Sequence, residues 1–465
     1  MRFVRICRIA IVALAPLAAA LGAEKAERLN ILFILVDDMG YGDLSCCGGT
    51  RVSTPRIDEL AHEGIRFTQF YVNAPVCSPS RVAFTTGQYP ARWKITSYLD
   101  TREMDRKRGL ADWLSPDAPS LARFLSMAGY HTGHVGKWHL GGQRDVGDAP
   151  SIARYGFAAS LTNFEGLGER ILPVFEPLRD GRPVNHVPTQ MNAQLGGRIR
   201  RVERHKVTEC YVDRAIEEMQ TACDARRPFY VNLWLDDVHA PVQAPPGLRG
   251  NGSPEANYLG VLREMDRQRG RVFDFIRARP ALRANTIILL ASDNGPDAGL
   301  GSSGGLRGGK ANLYEGGVRS PLIVWHPGAL AWAPGRVNET TVLAAMDIPP
   351  SLLAVADVRV PLTATFDGLN MADVLVGRVA PKRNEPIMWM RPPDRPGPDG
   401  NWPDLAIRAG DWKLLVSRDG TRPELFHIVK DPKESVNLAD RYPDRVRPLR
   451  KQVIEWDRAM REPSH

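Results

Sequence analysis

At 465 residues, 43% hydrophobic and 25% charged, the chain has the material for one large core plus a smaller unit, and it is neither disordered nor fibrous. The formal net charge of +8 is dispersed, with no recognition helix or basic-aromatic stripe, which excludes a nucleic-acid grip and leaves a mild pull on anionic ligands. Six cysteines do not make a disulfide scaffold: Cys210 and Cys223 flank a helical pattern (Val212, Ile216, Met219) that sets them about 20 Å apart, beyond bridging reach.

The chain opens on a leader. Arg2, Arg5 and Arg8 precede an apolar stretch from Ile9 to Ala20, and small residues follow to Ala23, the pattern of a secretory signal over residues 1–23. That stretch is shorter than the ~20 residues a membrane span needs, and no later one is long enough. The expected mature protein is exported, periplasmic or secreted, without stable membrane insertion.

Asn30 to Val36 is a continuous apolar run, which predicts a strand buried on both faces of a parallel sheet. It ends in Asp37-Asp38 and a glycine-rich turn, Met39 to Gly42. Paired carboxylates at a buried strand end are costly unless something positive neutralises them, and ligands bind at this end of open α/β sheets. Thr54-Pro55 then predicts a helix start, with Thr54 as cap.

Cys77-Ser78-Pro79-Ser80-Arg81 runs into the apolar Val82-Ala83-Phe84. Pro79 suits a first helical turn, and Ser78 and Ser80 are candidate caps. Cys77 is thereby placed at a helix N-terminus, where the dipole favours an anion, with Arg81 on the same face. A cysteine at a helix start is more often structural than catalytic, so the surroundings decide.

Leu121, Phe124, Leu125 and Ala128 predict a helix closing at Gly129. A weaker strand, His131 to Val135, ends in Gly136-Lys137-Trp138-His139. From Gly141 to about Arg200 the chain is less regular, a rim insertion suited to substrate selection; Arg198-Ile199-Arg200-Arg201 reads as a solvated face or rim. Phe229 to Leu235 predicts a third strand, ending in Asp236-Asp237-Val238-His239, and Thr286 to Ala291 a fourth, ending in Ser292-Asp293-Asn294. Strands delivering acids, amide, lysine and histidine at one end predict a site. Asp37, Asp38, Asp293 and Asn294 offer only oxygen, which suits a hard cation, Ca²⁺ in particular, with Mg²⁺ open and zinc disfavoured for want of histidine or thiolate. Gly308-Gly309-Lys310 can bring backbone and a charge close to an anion.

Pro321 to Trp325 is a further strand and Asp347 to Ala354 a helix. Short strands then follow at Ile387 to Met390, Ala406 to Arg408, Trp412 to Val416 and Glu424 to Ile428, before a helix from Asp444 to Met460. The expected fold is α/β: a large mixed, mostly parallel sheet between helices, then a smaller C-terminal antiparallel sheet plus helix. The division expected is a signal over 1–23, a catalytic unit over 24–380 and a C-terminal subdomain over 381–465.

Cys77-x-Pro79-Ser80-Arg81 with Thr86-Gly87, together with Leu306 to Lys310 and Tyr314 to Pro321, resembles the type I sulfatases of the alkaline-phosphatase superfamily. The resemblance covers nearly the whole chain after the leader. It implies that Cys77 is oxidised by a formylglycine-generating enzyme to Cα-formylglycine, whose hydrate attacks sulfur with one hydroxyl and expels sulfate by deprotonation of the second. It places one Ca²⁺ on Asp37, Asp38, Asp293 and Asn294, with the modified Cys77 alongside. It assigns Lys137 and Lys310 to the sulfate charge, Arg81 to orienting the hydrate, His139 to deprotonating its second hydroxyl, and His239 with Lys310 to the leaving oxygen. The implied substrate is a sulfate monoester, on a sulfated carbohydrate or an aryl group. Ala158 after Gly156-Phe157 and the pair Cys46-Cys47 depart from the commoner pattern, away from the site. Two other readings compete: a phosphate or phosphonate ester hydrolase of the same superfamily, and a non-catalytic binder of sulfated glycans in which Cys77 stays a thiol.

Overall fold

The computed structural model describes residues 28–163, 165–175, 196–331, 333–395, 397 and 400–462; the leader expected over 1–23, with Cys7, lies outside them. Eleven strands form the main sheet: β1 (Asn30–Val36), β2 (Ile65–Tyr71), β3 (His131–Gly136), β4 (Ala159–Thr162), β5 (Arg170–Val174), β6 (Ile199–Glu203), β7 (Phe229–Leu235), β8 (Thr286–Ser292), β9 (Arg319–Trp325), β10 (Arg336–Asn338) and β11 (Leu343–Ala344). Their order is β10-β2-β9-β8-β1-β7-β3-β4-β5-β6, with β11 also beside β2. β1 lies parallel to both β7 and β8, and β3 parallel to β7, so these four strands end on the same edge. β9 runs antiparallel between β8 and β2.

The period-2 pattern of β1 explains its central place. Ile31, Phe33 and Leu35 face one core layer and Leu32, Ile34 and Val36 the other, all fully buried. The second layer is closed by helices Pro55–Glu63, Val207–Asp224 and Pro254–Arg277. The first is closed by helices Cys77–Thr86, Leu121–Met127 and Ile348–Val355. A smaller antiparallel sheet completes the first layer: β12 (Ile387–Met390), β13 (Leu405–Ala409), β14 (Trp412–Val416) and β15 (Glu424–His427). Trp389, Ala406, Leu415 and Phe426 face the main body, while Met390, Ile407, Leu414 and Leu425 face the terminal helix Pro443–Arg461. The small sheet is thus sandwiched, and one core layer runs unbroken from it to the large one.

Some local expectations are corrected. Thr54 stands at the cap position, but its hydroxyl bonds Ser45 and Asp58 instead of the helix N–H groups. Ser78 and Ser80 lie inside the Cys77 helix, capped in position by Val76; Ser78 Oγ accepts from the Leu99 N–H at 3.0 Å. The stretch read as irregular after Gly141 contributes β4, β5 and β6, with Arg200 and Arg201 exposed on the edge strand. Five cysteines, Cys46, Cys47, Cys77, Cys210 and Cys223, are free.

Candidate active site

The four parallel strand ends and the start of the Cys77 helix meet at one cavity of about 600 Å³, lined among others by Cys77, His139, Glu165, His239 and Lys310. Asp37 and Asp38 leave β1, Lys137 leaves β3, and Asp293 and Asn294 leave β8. β3 can end so tightly because Gly136 adopts φ +113°; a Cβ there would fall 1.9 Å from the Trp234 carbonyl. Asp38, His139 and Ala311, next to Lys310, hold left-handed φ of 60°, 52° and 73° without being glycine, a conformation sustained only by strong surrounding contacts.

The contacts are mostly charge on charge. Lys137 Nζ donates to Asp37 Oδ2 at 2.6 Å, and Lys310 Nζ to Asp38 Oδ2 at 2.6 Å. Arg81, wholly buried, forks onto Asp293 Oδ2 through Nε at 3.0 Å and Nη2 at 2.7 Å, and donates to the Lys137 carbonyl at 2.7 Å. Asn294 Nδ2 donates to Asp38 Oδ1 at 2.7 Å, and the Asp38 N–H to Asp293 Oδ1 at 3.2 Å. His239 donates through Nδ1 to the Ala240 carbonyl at 2.7 Å, leaving Nε2 3.7 Å from Asp38 Oδ2.

Burial alone would raise the Asp37 carboxyl, but Lys137, His239, Arg81 and Lys310 together hold it well below the usual range. Asp293 goes the other way: burial and the neighbouring Asp37 raise it well above that range against the pull of Arg81. Burial would lower Lys137, and Asp37, Cys77 and Glu165 more than reverse that, keeping it charged. Burial pushes the Cys77 thiol up, with Lys137 opposing, so an unmodified Cys77 is a protonated, weak nucleophile.

A hard cation fits this donor set. Asp37 Oδ1 and Asn294 Oδ1 are buried with no hydrogen-bond partner, and crowded carboxylates beside them need positive charge. One nitrogen joins the oxygens: donor atoms of Asp37, Asp38 and His239 lie within 4.8 Å of one another, a group a metal ion could share.

Two acids from the β7 strand end do not converge. Asp236 accepts from Asn163 Nδ2 at 3.2 Å and from Arg204, while Asp237 binds the Thr208 hydroxyl and faces Arg269 at 3.7 Å. One buried acid that sequence reasoning missed does converge. Glu165, between β4 and β5, places Oε2 3.1 Å from Lys137 Nζ and 3.0 Å from His139 Nδ1. It follows no strand-end motif, so no local signal marks it.

A family model described as Sulfatase matches residues 29–358. Arylsulfatase A of Bos taurus is 30% identical over 468 residues, covering 93% of this chain and 88% of that protein. N-acetylgalactosamine-6-sulfatase of Canis lupus familiaris is 31% identical over 369 residues, covering 78% and 68%. Among solved structures, Ps i-CgsB in complex with k-i-k-neocarrahexaose superposes with a TM-score of 0.76 at 24% identity, covering 94% of each chain. BT4656 in complex with its substrate D-glucosamine-2-N,6-O-disulfate gives 0.64 at 20% identity, covering 93% of this chain and 98% of that one. The architecture is that of the alkaline-phosphatase-like fold.

Proposed function

The chain belongs to the sulfatase family, and from that premise we propose how its cavity hydrolyses a sulfate monoester. Cys77 is converted to Cα-formylglycine, which supplies a hydrated aldehyde with two hydroxyls for attack on sulfur and release of sulfate. Calcium, held by Asp37, Asp38, Asp293 and Asn294 with the modified Cys77 alongside, supplies a hard positive centre for the sulfate oxygens. The convergence of Cys77, Lys310, His139 and His239 on one cavity, with Lys137 bonded to Asp37 and with Asp37 Oδ1 and Asn294 Oδ1 buried without a hydrogen bond, carries the reading.

Lys137 and Lys310, kept charged by Asp37 and Asp38, fix the sulfate charge as it shifts toward the leaving oxygen. Arg81 locks Asp293 and the Lys137 backbone, orienting the nucleophile's surroundings from below. His239 turns Nε2 toward the leaving oxygen; burial and both lysines lower its pKa, which makes its protonated form a strong general acid. His139 takes the proton of the second hydroxyl. Its Nε2 donates to the Leu99 carbonyl at 2.9 Å, so Nδ1 is the nitrogen left to accept it.

The substrate we propose is a sulfated carbohydrate, with aryl sulfates as small surrogates; the cavity volume suits a sugar residue, and relatives include N-acetylgalactosamine-6-sulfatase. Residues 1–23 act as an export signal, and a formylglycine-generating enzyme modifies Cys77 during maturation. Residues 24–380 form the catalytic unit and 381–465 the subdomain beside it. Among the described residues no helix is long and apolar enough to cross a membrane.

Two measurements test this. The mass of the tryptic peptide carrying Cys77 is expected to fall from thiol to aldehyde, and nitrophenyl sulfate is expected to turn over faster than nitrophenyl phosphate. An unmodified peptide from the native host, or faster phosphate hydrolysis, overturns the reading. A panel of 6-O-, 4-O- and 2-O-sulfated sugars then identifies the position cleaved.

A further inference from the structure

The small sheet carries a second pocket, of about 550 Å³, that shares no lining residue with the catalytic cavity. The catalytic cavity takes Asp394, Arg395 and Trp402 from the connection between β12 and β13, which leads into Leu405. Leu405 pairs with Val416 and Ala409 with Trp412. The second pocket, built on Trp412 and His427, therefore lies at the other end of these strands, about 13 Å along β14. Trp412 and His427 are cross-strand partners with ring centroids 4.8 Å apart, and Tyr442 packs edge-on to Trp412 at 5.2 Å.

On this aromatic base stand cations without anions. The Arg445 guanidinium lies 4.8 Å over the Trp412 ring, and that of Arg441 lies 5.6 Å from the centre of the Tyr442 ring. Stacking holds each fork in place and leaves its N–H edge for a ligand. The exposed Lys430 joins them in the lining, and among the described residues none of the three cations has an ion-pair partner. The two acids at the pocket are already engaged. Asp431 Oδ2 accepts the Ser435 N–H at 2.8 Å and the Val436 N–H at 3.0 Å, and Asp411 Oδ2 faces Lys382 Nζ at 3.6 Å. His427 Nδ1 is buried with no hydrogen-bond partner, and Val436, 59% exposed, adds an apolar wall.

We propose that this pocket is a second, non-catalytic site that holds a sulfated glycan chain: Lys430, Arg441 and Arg445 take its sulfate groups, and Val436 the C–H face of a sugar. Guanidinium forks match the oxygens of a sulfate group. A nucleic acid fits less well, because a base needs an open ring face to stack on and Arg445 lies over that of Trp412. The site goes beyond the hydrolysis proposed above. Its use, keeping a polymeric substrate near the cavity and raising its effective concentration there, rests on that reading.

The test measures binding of dextran sulfate to the full mature chain at low and high salt, with unsulfated dextran and linear polyphosphate as comparisons. Unsulfated dextran is expected not to bind. Lys430→Gln/Arg441→Gln/Arg445→Gln is expected to bind dextran sulfate roughly tenfold more weakly than wild type, with a shallower salt dependence, and to turn over nitrophenyl sulfate at the wild-type rate. Lys430→Glu removes no stacked ring pair; it is expected to lose about threefold at an unchanged melting temperature, and it decides the matter if the triple variant folds poorly. Arg263→Gln/Arg267→Gln/Arg271→Gln takes the same charge from the helix Pro254–Arg277 on the opposite core layer, and is expected to bind like wild type. Binding within twofold of wild type in the pocket variants, an equal loss in the helix variant, equal binding of unsulfated dextran, or a larger loss toward polyphosphate than toward dextran sulfate overturns the proposal. If wild type hydrolyses no sulfate ester yet the binding losses appear, the site stands and only the hydrolase reading falls.

Discussion

Two of the buried charge clusters among the described residues are built to opposite ends. One gathers Asp37, Asp38, Asp293, Arg81, Lys137 and Lys310 at the strand ends. The other joins the small sheet to the large: Lys413 on β14 lies 2.9 Å from Glu315 Oε1 and 3.0 Å from Glu434 Oε1. There the Tyr71 hydroxyl donates to Glu315 Oε2 at 2.7 Å, Arg319 stands 3.4 Å from the same oxygen, and Arg408 reaches Tyr71. Lys413 and Glu315 have no exposed side-chain surface, and the Glu315 N–H donates to Glu434 Oε2 at 2.7 Å. The first cluster opens on a cavity and leaves Asn294 Oδ1 without any partner; the second is closed and bonded into the backbone. Burial of charge therefore does not mark a site by itself. An unfinished set of partners beside open space does.

The sharpest way to break the comparison is to cut each cluster at its centre. Cys77→Ala is expected to abolish sulfate ester turnover, by more than about 10⁴-fold, while leaving the melting temperature near that of wild type. Lys413→Met is expected to do the reverse. It leaves Glu434 uncompensated and Glu315 with only Arg319 and Arg408 near it, costing about 3–5 kcal/mol in urea unfolding, while kcat per folded molecule holds. A Lys413→Met enzyme of full stability but lost turnover would place the second cluster in the reaction and dissolve the distinction.

Metal removal comes next in size. Chelation is expected to abolish turnover and lower stability, with calcium restoring both better than magnesium. Calcium at 100 times its dissociation constant adds about 2.7 kcal/mol. Unchanged melting with and without chelator would remove the cation from the strand-end cluster.

Much of the first cluster is legible in the sequence because its members follow buried strands. Asn-Ile-Leu-Phe-Ile-Leu-Val can hardly be other than a central strand, and whatever follows it emerges at the ligand end. The same rule located Lys137, His239, Asp293 and Asn294, and it over-reached at Asp236 and Asp237, where Asn163, Arg204, Thr208 and Arg269 draw the acids aside. Glu165 escaped because its position depends on how a connection between short strands returns to β3. The second cluster was invisible for a related reason: Lys413 and Glu315 are 98 residues apart, and only the docking of the small sheet joins them. Caps failed similarly, since Thr54 and Ser78 found tertiary partners that outbid the helix ends.

The subtlest difference between the clusters concerns protons. Burial, with Glu315 adding to it against Lys413, raises Glu434 from 4.5 to about 7. A carboxyl with a raised pKa favours the fold most below its unfolded value and loses that contribution as pH climbs through the folded one. The closed cluster should therefore weaken between pH 4.5 and 7, by an amount on the order of 3 kcal/mol. Glu434→Gln keeps an oxygen for the Glu315 N–H, puts its amide N–H₂ where Oε1 faced Lys413, and has no proton to lose. Its unfolding free energy is expected to be flatter over that window than that of wild type. If the wild-type slope survives in Glu434→Gln, the titrating group lies elsewhere, and Lys413 holds both carboxylates ionised together.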